Sequence, residues 1–218
     1  MYFLLKSRPV TDERLPMLPT PEELTEEISR SWRTPERKGQ TPVLVLLAGF
    51  QGSGKTTLAQ RIVDYLGFTL ISPDIIRQKL FDRNIHHSKE FTNLVDETRD
   101  SLIKRAVLAG ISAVCDTNMV PGRVIKIISD LKGQKYKLVT IFLDAPRQVL
   151  AKRIEERPQT AGVYRGTTGE LEKSITTHGD ITKEDYDVVI NTEENSPGQA
   201  LSCAARAIMR AIIGLDKK

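Results

Sequence analysis

Apolar and polar positions follow two rhythms along this chain. From position 41 onward, short apolar runs rich in Val, Ile and Leu alternate with longer stretches of helical periodicity. That alternation is the mark of a parallel sheet whose strands are joined by crossover helices. Strands are predicted near 43–47, 69–71, 112–115, 137–143 and 188–190. Helices are predicted near 55–65, 74–80, 89–108, 122–131, 146–155, 170–176 and 197–213. The long helix at 89–108 carries Phe91, Leu94, Val95, Leu102 and Ala106 on one stripe, and the last is expected to bury Leu201, Ala204, Ala205, Ile208 and Ile212. These stripes read as core.

The first forty residues differ. Five of the eleven prolines (Pro9, Pro16, Pro19, Pro21 and Pro35) fall there, so residues 1–40 read as an arm and 41–218 as the main domain. Within the arm, Thr20, Pro21, Glu22 and Glu23 form a capping box with proline at the first helical position, followed by Leu24, Ile28 and Trp32 at i, i+4, i+8. One short amphipathic helix is expected, docked by that stripe either on the domain's own surface or on a protein partner. Residues 33–40 read as a linker.

Composition narrows the class. Hydrophobic residues at 39% and charged residues at 28% allow a packed core, and 218 residues make one domain with an appendage. The longest apolar run, 43–50 with a glycine inside it, is far short of the roughly 18 to 20 residues that span a bilayer. No basic region precedes the apolar patch at the start and no cleavage site follows it, so the expectation is a cytoplasmic protein with no membrane association. Cys115 and Cys203 sit in apolar surroundings without metal or redox spacing and are expected to be buried small hydrophobes. A net charge of +4 permits an anionic partner without requiring one.

The chemistry is concentrated at strand ends. Gly49, Gln51, Gly52, Ser53, Gly54, Lys55 and Thr56 fall in a G-x-x-x-x-G-K-[ST] motif, directly after a strand and before a helix, with Thr57 next in line. Backbone N–H groups there would curl around the phosphates of ATP or another NTP. Lys55 would reach the β- and γ-phosphates, and Thr56 would hold Mg²⁺. After the second strand, Asp74 and Arg77 lie one helical turn apart. They can serve as proton acceptor and anion holder for an acceptor hydroxyl, or simply pair with each other at the helix start. After the third strand, Asp116 can contact Mg²⁺ or orient Asp74 and Arg77, while Thr117 and Asn118 offer hydrogen bonds to a substrate. Asp144 is a second Walker-B candidate, with a helix-start role as its alternative. Neither acid is followed by Glu, which speaks against a hydrolysing motor. Arg153 and Arg157 fall at i, i+4 on the next helix, with Lys152 alongside. The following Gly- and Thr-rich stretch contains Tyr164 and Arg165, and residues 157–170 read as a lid that lays arginines over the transferring phosphoryl.

Together these motifs resemble P-loop kinases of the polynucleotide 5′-hydroxyl kinase type and the wider group that includes zeta-toxin-like kinases, over about residues 43–190. The resemblance implies a three-layer α/β fold, a five-stranded parallel sheet in the order 2-3-1-4-5 with helices on both faces and an arginine-bearing lid. It implies Asp74 as general base, Arg77 as a ligand for an acceptor phosphate and Asp116 in support of the acceptor side. Arg157 with Arg153 would act on the donor phosphates. The implied reaction is ATP- and Mg²⁺-dependent transfer to a hydroxyl of a polynucleotide or nucleotide, or of a small molecule. A stacking aromatic beside Arg77 would favour nucleic acid; Phe81 is the candidate. The arm and residues 82–88, with His86 and His87, have no counterpart in the shared pattern, and an NTP-binding switch acting through an arm partner is the rival class.

Overall fold

The computed structural model describes residues 18–32, 41–85, 88–118, 120–157, 167–178 and 183–214. The other arm residues, His86, His87 and the lid stretch 158–166 with Tyr164 and Arg165 lie outside them. In chain order the elements are α1 (Pro21–Ser29), β1 (Val43–Ala48), α2 (Lys55–Leu66), β2 (Thr69–Ile71), α3 (Pro73–Phe81), α4 (Lys89–Leu108), β3 (Ala113–Cys115), α5 (Pro121–Asp130), β4 (Lys137–Asp144), α6 (Arg147–Glu155), α7 (Thr168–His178), β5 (Val188–Asn191) and α8 (Pro197–Ile213). Five parallel strands pair in the order β2-β3-β1-β4-β5, as expected.

Side chains of a strand alternate between faces, and in β1 both faces are buried. Leu44, Leu46 and Ala48 enter a core with α1, α3, α4 and α5, while Val43, Val45 and Leu47 enter a second core with α2 and α8. A third, smaller cluster of Ala145, Leu150 and Leu171 joins α6 to α7. The result is the three-layer arrangement, with every strand's C-terminal end at one edge.

The arm helix forms where its capping box predicts, with the Thr20 hydroxyl accepting from the Glu23 N–H and the Glu23 carboxylate accepting from the Thr20 N–H. Leu24 and Ile28 are buried in the first core, and Trp32 packs against it from beyond the helix end. Glu27 pairs with Lys79 at 3.1 Å and with Arg83, and Glu26 with Arg105 at 2.8 Å, so α1 is tied to the ends of α3 and α4.

Two expectations need correction. The buried stripe of α8 runs through Ala200, Ala204 and Ile208 and continues at Ala211, leaving Ile212 half exposed. A period of 3.6 residues demands a step of three after two steps of four. Cys115 is fully buried, but Cys203 is only half-buried, with an Arg206 Nη2 at 3.5 Å from its sulfur. Among the described residues, no helix is long and apolar enough to cross a membrane.

Candidate functional site

The loop between β1 and α2 is built on glycines with positive φ. Gly49, at φ +137°, lies so close to β4 that a Cβ there would meet the Leu143 carbonyl oxygen at 2.4 Å. The Asn118 side chain accepts a hydrogen bond from the Gly49 N–H at 3.2 Å, so the β3 edge holds the loop's first residue. Gly54 caps α2 without any side chain, leaving the helix's first N–H groups facing the loop. Inside it, the Gln51 Oε1 and Ser53 Oγ are buried without a hydrogen-bond partner. A cradle lined by donors and orphaned polar atoms fits a phosphate chain.

Lys55 donates from Nζ to the Gly49 and Phe50 carbonyls at 2.8 and 2.9 Å. Desolvation lowers its pKa to about 8, with Asp116 opposing that shift and Arg157 adding to it. Asp116 is buried, and its carboxyl is pushed above the ordinary range by desolvation, with the nearby Thr56 and the Lys55 charge acting the other way. Thr56 and Asp116 line the same cleft and present hard oxygen donors, which suits Mg²⁺ shared with a nucleotide's phosphates. Asp144 sits otherwise. Its carbonyl accepts from the Thr192 N–H and hydroxyl at 2.8 and 3.1 Å, and it lines neither cavity described next.

Two hollows flank the loop. A cleft of about 240 Å³ lies between the P-loop and α3, walled by Lys55, Thr56, Asp74, Arg77, Asp116, Thr117, Asn118 and Arg157, with Ile154 and Ser174 above. The Ser72 hydroxyl accepts from the Asp74 N–H at 3.3 Å, and the Asp74 carboxylate accepts from Arg77 Nη1 at 2.6 Å. The local pairing read from the sequence therefore exists, and the pair also faces the cleft. On the other side, a hollow of about 420 Å³ is lined by Gly52, Ser53, Thr57, Leu58, Arg153, Thr192, Asn195 and Ala200. Arg157 borders both cavities. A larger hollow of about 930 Å³ beneath α1 lies away from the loop, and its Glu26 and Glu27 are engaged in the ion pairs already described.

The expected pairing of Arg153 and Arg157 on one helix is corrected: α6 ends at Glu155, so Arg157 lies beyond it, and Arg153 does not line the smaller cleft. Its guanidinium donates to Thr192 Oγ1, Thr192 O and Gly52 O at 2.9, 2.7 and 3.3 Å. Pairing over one stretch of phosphate by both arginines is thus corrected to one arginine at the junction and one bonded to the turn after β5. Phe81 stacks on Phe91 with ring centroids 5.3 Å apart and packs against the first core. Sequence reasoning missed Thr192 and Asn195. Both follow the end of β5, and the rule that strand C-termini share one crevice would have pointed to them.

A family model described as an AAA domain matches residues 44–176. The cytidylate kinase of Halobacterium salinarum is 30% identical over 172 residues, covering 71% of this chain and 83% of that protein. Shikimate kinase 2 of Serratia proteamaculans is 26% identical over 115 residues, 53% of this chain and 64% of the relative. The crystal structure of a sugar kinase from Janibacter sp. HTCC2649 superposes with a TM-score of 0.56 at 19% identity, covering 79% of this chain and 98% of that one, which shows the shared fold. With the family match running from β1 into α7 and the glycine loop, lysine and sheet order all in place, the chain belongs to the AAA domain family and is an enzyme of the P-loop kinase class.

Proposed function

We propose that this protein transfers the γ-phosphate of ATP to a hydroxyl of a small anionic acceptor. The observation that carries this reading is the pair of cavities that meet at Gly52, Gly54 and Arg157, with Lys55 and Thr56 lining the smaller one. The 420 Å³ hollow takes the donor base and ribose, the glycine loop takes the phosphates, and the 240 Å³ cleft takes the acceptor. Thr56 would hold Mg²⁺ with Asp116 beside it; bound there, the ion neutralises charge on the β- and γ-phosphate oxygens.

Each residue then has a task. Lys55 leaves the Gly49 and Phe50 carbonyls for the phosphates. Asp74 accepts the proton of the acceptor hydroxyl, and Arg77 turns from Asp74 to the acceptor's anionic group, which frees the carboxylate to act as base. Thr117 hydrogen-bonds the acceptor, and Asn118 keeps Gly49 in place. Arg157, at the junction of both cavities, stabilises the charge of the transferring phosphoryl.

Acceptor size supports a small molecule over a nucleic-acid end. The cleft is small and polar, and Phe81, the residue suited to stack on a terminal base, is engaged with Phe91. The relatives are named for cytidylate and shikimate, both small anions. The test follows γ-labelled ATP with Mg²⁺ against shikimate, gluconate, cytidylate and 5′-hydroxyl oligonucleotides. Label on a hydroxyl of shikimate or gluconate supports the reading, while label on the phosphate of cytidylate, or on the oligonucleotide alone, overturns it. Asp74→Asn then separates the acceptors: it should stop transfer to a hydroxyl while sparing ATP affinity, and unimpaired transfer would remove Asp74 as base.

A further inference from the structure

Each charged side chain walling the cleft of about 240 Å³ has a task in the reaction proposed above, and two uncharged ones are left over, Ser174 of α7 and Gln51 of the P-loop. A serine inside a helix either returns its hydroxyl to the carbonyl one turn back or points it outward. The neighbours of Ser174 take the first course: Thr176 and Thr177 donate to the Glu172 and Lys173 carbonyls at 2.9 and 2.8 Å. Among the described residues, the Ser174 hydroxyl makes no such bond, and the residue lines the cleft. Its helix is held in place, because Leu171 is fully buried and Ile175 packs into the same cluster, while Glu172 accepts from Arg147 Nε at 2.7 Å. Gln51 repeats the pattern from the P-loop wall, with its Oε1 buried and without a hydrogen-bond partner. An unpaired amide oxygen withdrawn from water is costly in the free protein, and a bound group that pairs with it removes that cost.

We propose that Ser174, assisted by Gln51, is a specificity-determining residue that reads a second hydroxyl of the acceptor, and that the acceptor is a polyhydroxy acid. The chemistry of the two groups selects an alcohol. A carboxylate or phosphate oxygen repels the Gln51 amide oxygen, whereas an alcohol both donates and accepts and so satisfies a serine hydroxyl and either end of an amide. The attacking hydroxyl belongs to Asp74 and the anionic group to Arg77, so the alcohol held by Ser174 and Gln51 is a further one. The Thr117 hydroxyl, at the β3 edge of the same cleft, adds a third neutral group. An acceptor with a single hydroxyl leaves Ser174 and Gln51 facing nothing, and a site built to hydrogen-bond an alcohol discriminates strongly against the analogue that lacks it. This inference rests on the acceptor-cleft reading above and narrows its acceptor from any small anion to one chemical class.

The test follows γ-labelled ATP with Mg²⁺ against glycerate, gluconate, quinate and shikimate, which carry two or more hydroxyls, and against lactate and 3-hydroxybutyrate, which carry one. At least one of the first group should take label with a kcat/KM about 100-fold or more above that of the monohydroxy acids. Ser174→Ala should lower kcat/KM for that acceptor about tenfold, chiefly through KM, and leave both the ATP dissociation constant and transfer to the monohydroxy acids unchanged, so that the ratio between the groups falls. Gln51→Met should act in the same direction, and Thr176→Ala, whose hydroxyl is spent on its own helix, should change neither group. Urea unfolding separates a substrate contact from a structural one: Ser174→Ala should not lower the midpoint, and a lowered midpoint would overturn the proposal. A ratio that Ser174→Ala leaves unchanged, or label on none of the polyhydroxy acids, would also overturn it. Label confined to the monohydroxy acids defeats this inference and leaves the phosphotransfer reading standing, whereas label confined to the oligonucleotide or to the phosphate of cytidylate defeats both.

Discussion

Gly49→Ala tests whether the loop's shape is set by space or by backbone conformation alone. Gly49 has φ +137°, and a Cβ there would lie 2.4 Å from the Leu143 oxygen, 2.7 Å from Ser53 Oγ and 3.3 Å from the Leu143 carbonyl carbon. Two of those atoms are backbone of β4, whose ladder with β1 extends to the Ala48 and Phe142 pair just before it. Nothing there can rotate aside, so the loop and β4 must part. The unfavourable φ costs about 1 to 3 kcal/mol and the overpacking a similar amount, giving about 4 kcal/mol in total. Gly54→Ala is the control, because Gly54 also has positive φ, +92°, yet a Cβ there meets nothing within 4 Å. It should lose only about 1 to 2 kcal/mol for the left-handed conformation. Urea unfolding of the free proteins, at matched m-values, should therefore place Gly49→Ala below Gly54→Ala by about 2 kcal/mol. Stabilities within about 0.5 kcal/mol of each other would refute the claim that contact with β4, rather than φ, requires glycine at 49.

Three further outcomes follow from the same structure. Leu24 is 0% exposed, so Leu24→Ala should cost about 2 to 4 kcal/mol in the same unfolding assay; a loss under about 0.5 kcal/mol would mean that α1 unfolds apart from the domain. The Glu27 carboxyl is held below its ordinary pKa of 4.5, chiefly by its hydrogen bond with Arg83, so its contribution is complete above 4.5 and vanishes as pH falls through the lowered value. The stability gap between wild type and Glu27→Gln should accordingly close on acidification, and a gap constant with pH would count against the ion pair. Asp116→Asn should raise the Mg²⁺ concentration needed for half-maximal turnover by about 10- to 100-fold, and an unchanged requirement would remove Asp116 from the metal's surroundings.

The fold was legible because its signals are local. Both faces of β1 are buried, so its apolar run is unbroken, and helices such as α4 and α8 carry their own buried stripe and serine N-cap. The glycine loop was equally plain, since strand, loop and helix are contiguous in sequence. Asp74 and Arg77 were placed correctly as a pair on α3, and their orientation into the cleft followed from the shared sheet edge. What sequence could not show was which of two plausible walls a long side chain reaches.

Arg153 and Arg157 illustrate that limit. A spacing of four would put two Cβ atoms on the same side of a helix, but α6 ends at Glu155 and Arg157 stands beyond it. The destination of a guanidinium several bonds further out depends on which oxygens lie within its reach. For Arg153 those oxygens belong to Gly52 and Thr192, 101 residues before it and 39 after it. Neither is visible in a local pattern. The same reasoning applies to Asn118, which was expected to contact substrate from its place after β3 and walls the cleft, and which also accepts from the N–H of Gly49, 69 residues earlier. In both cases a polar side chain at the sheet edge braces the phosphate loop from outside. The loop's curvature is therefore set by β4 at Gly49, by the β3 edge through Asn118 and by α6 through Arg153, and it stands ready for phosphate before any nucleotide binds.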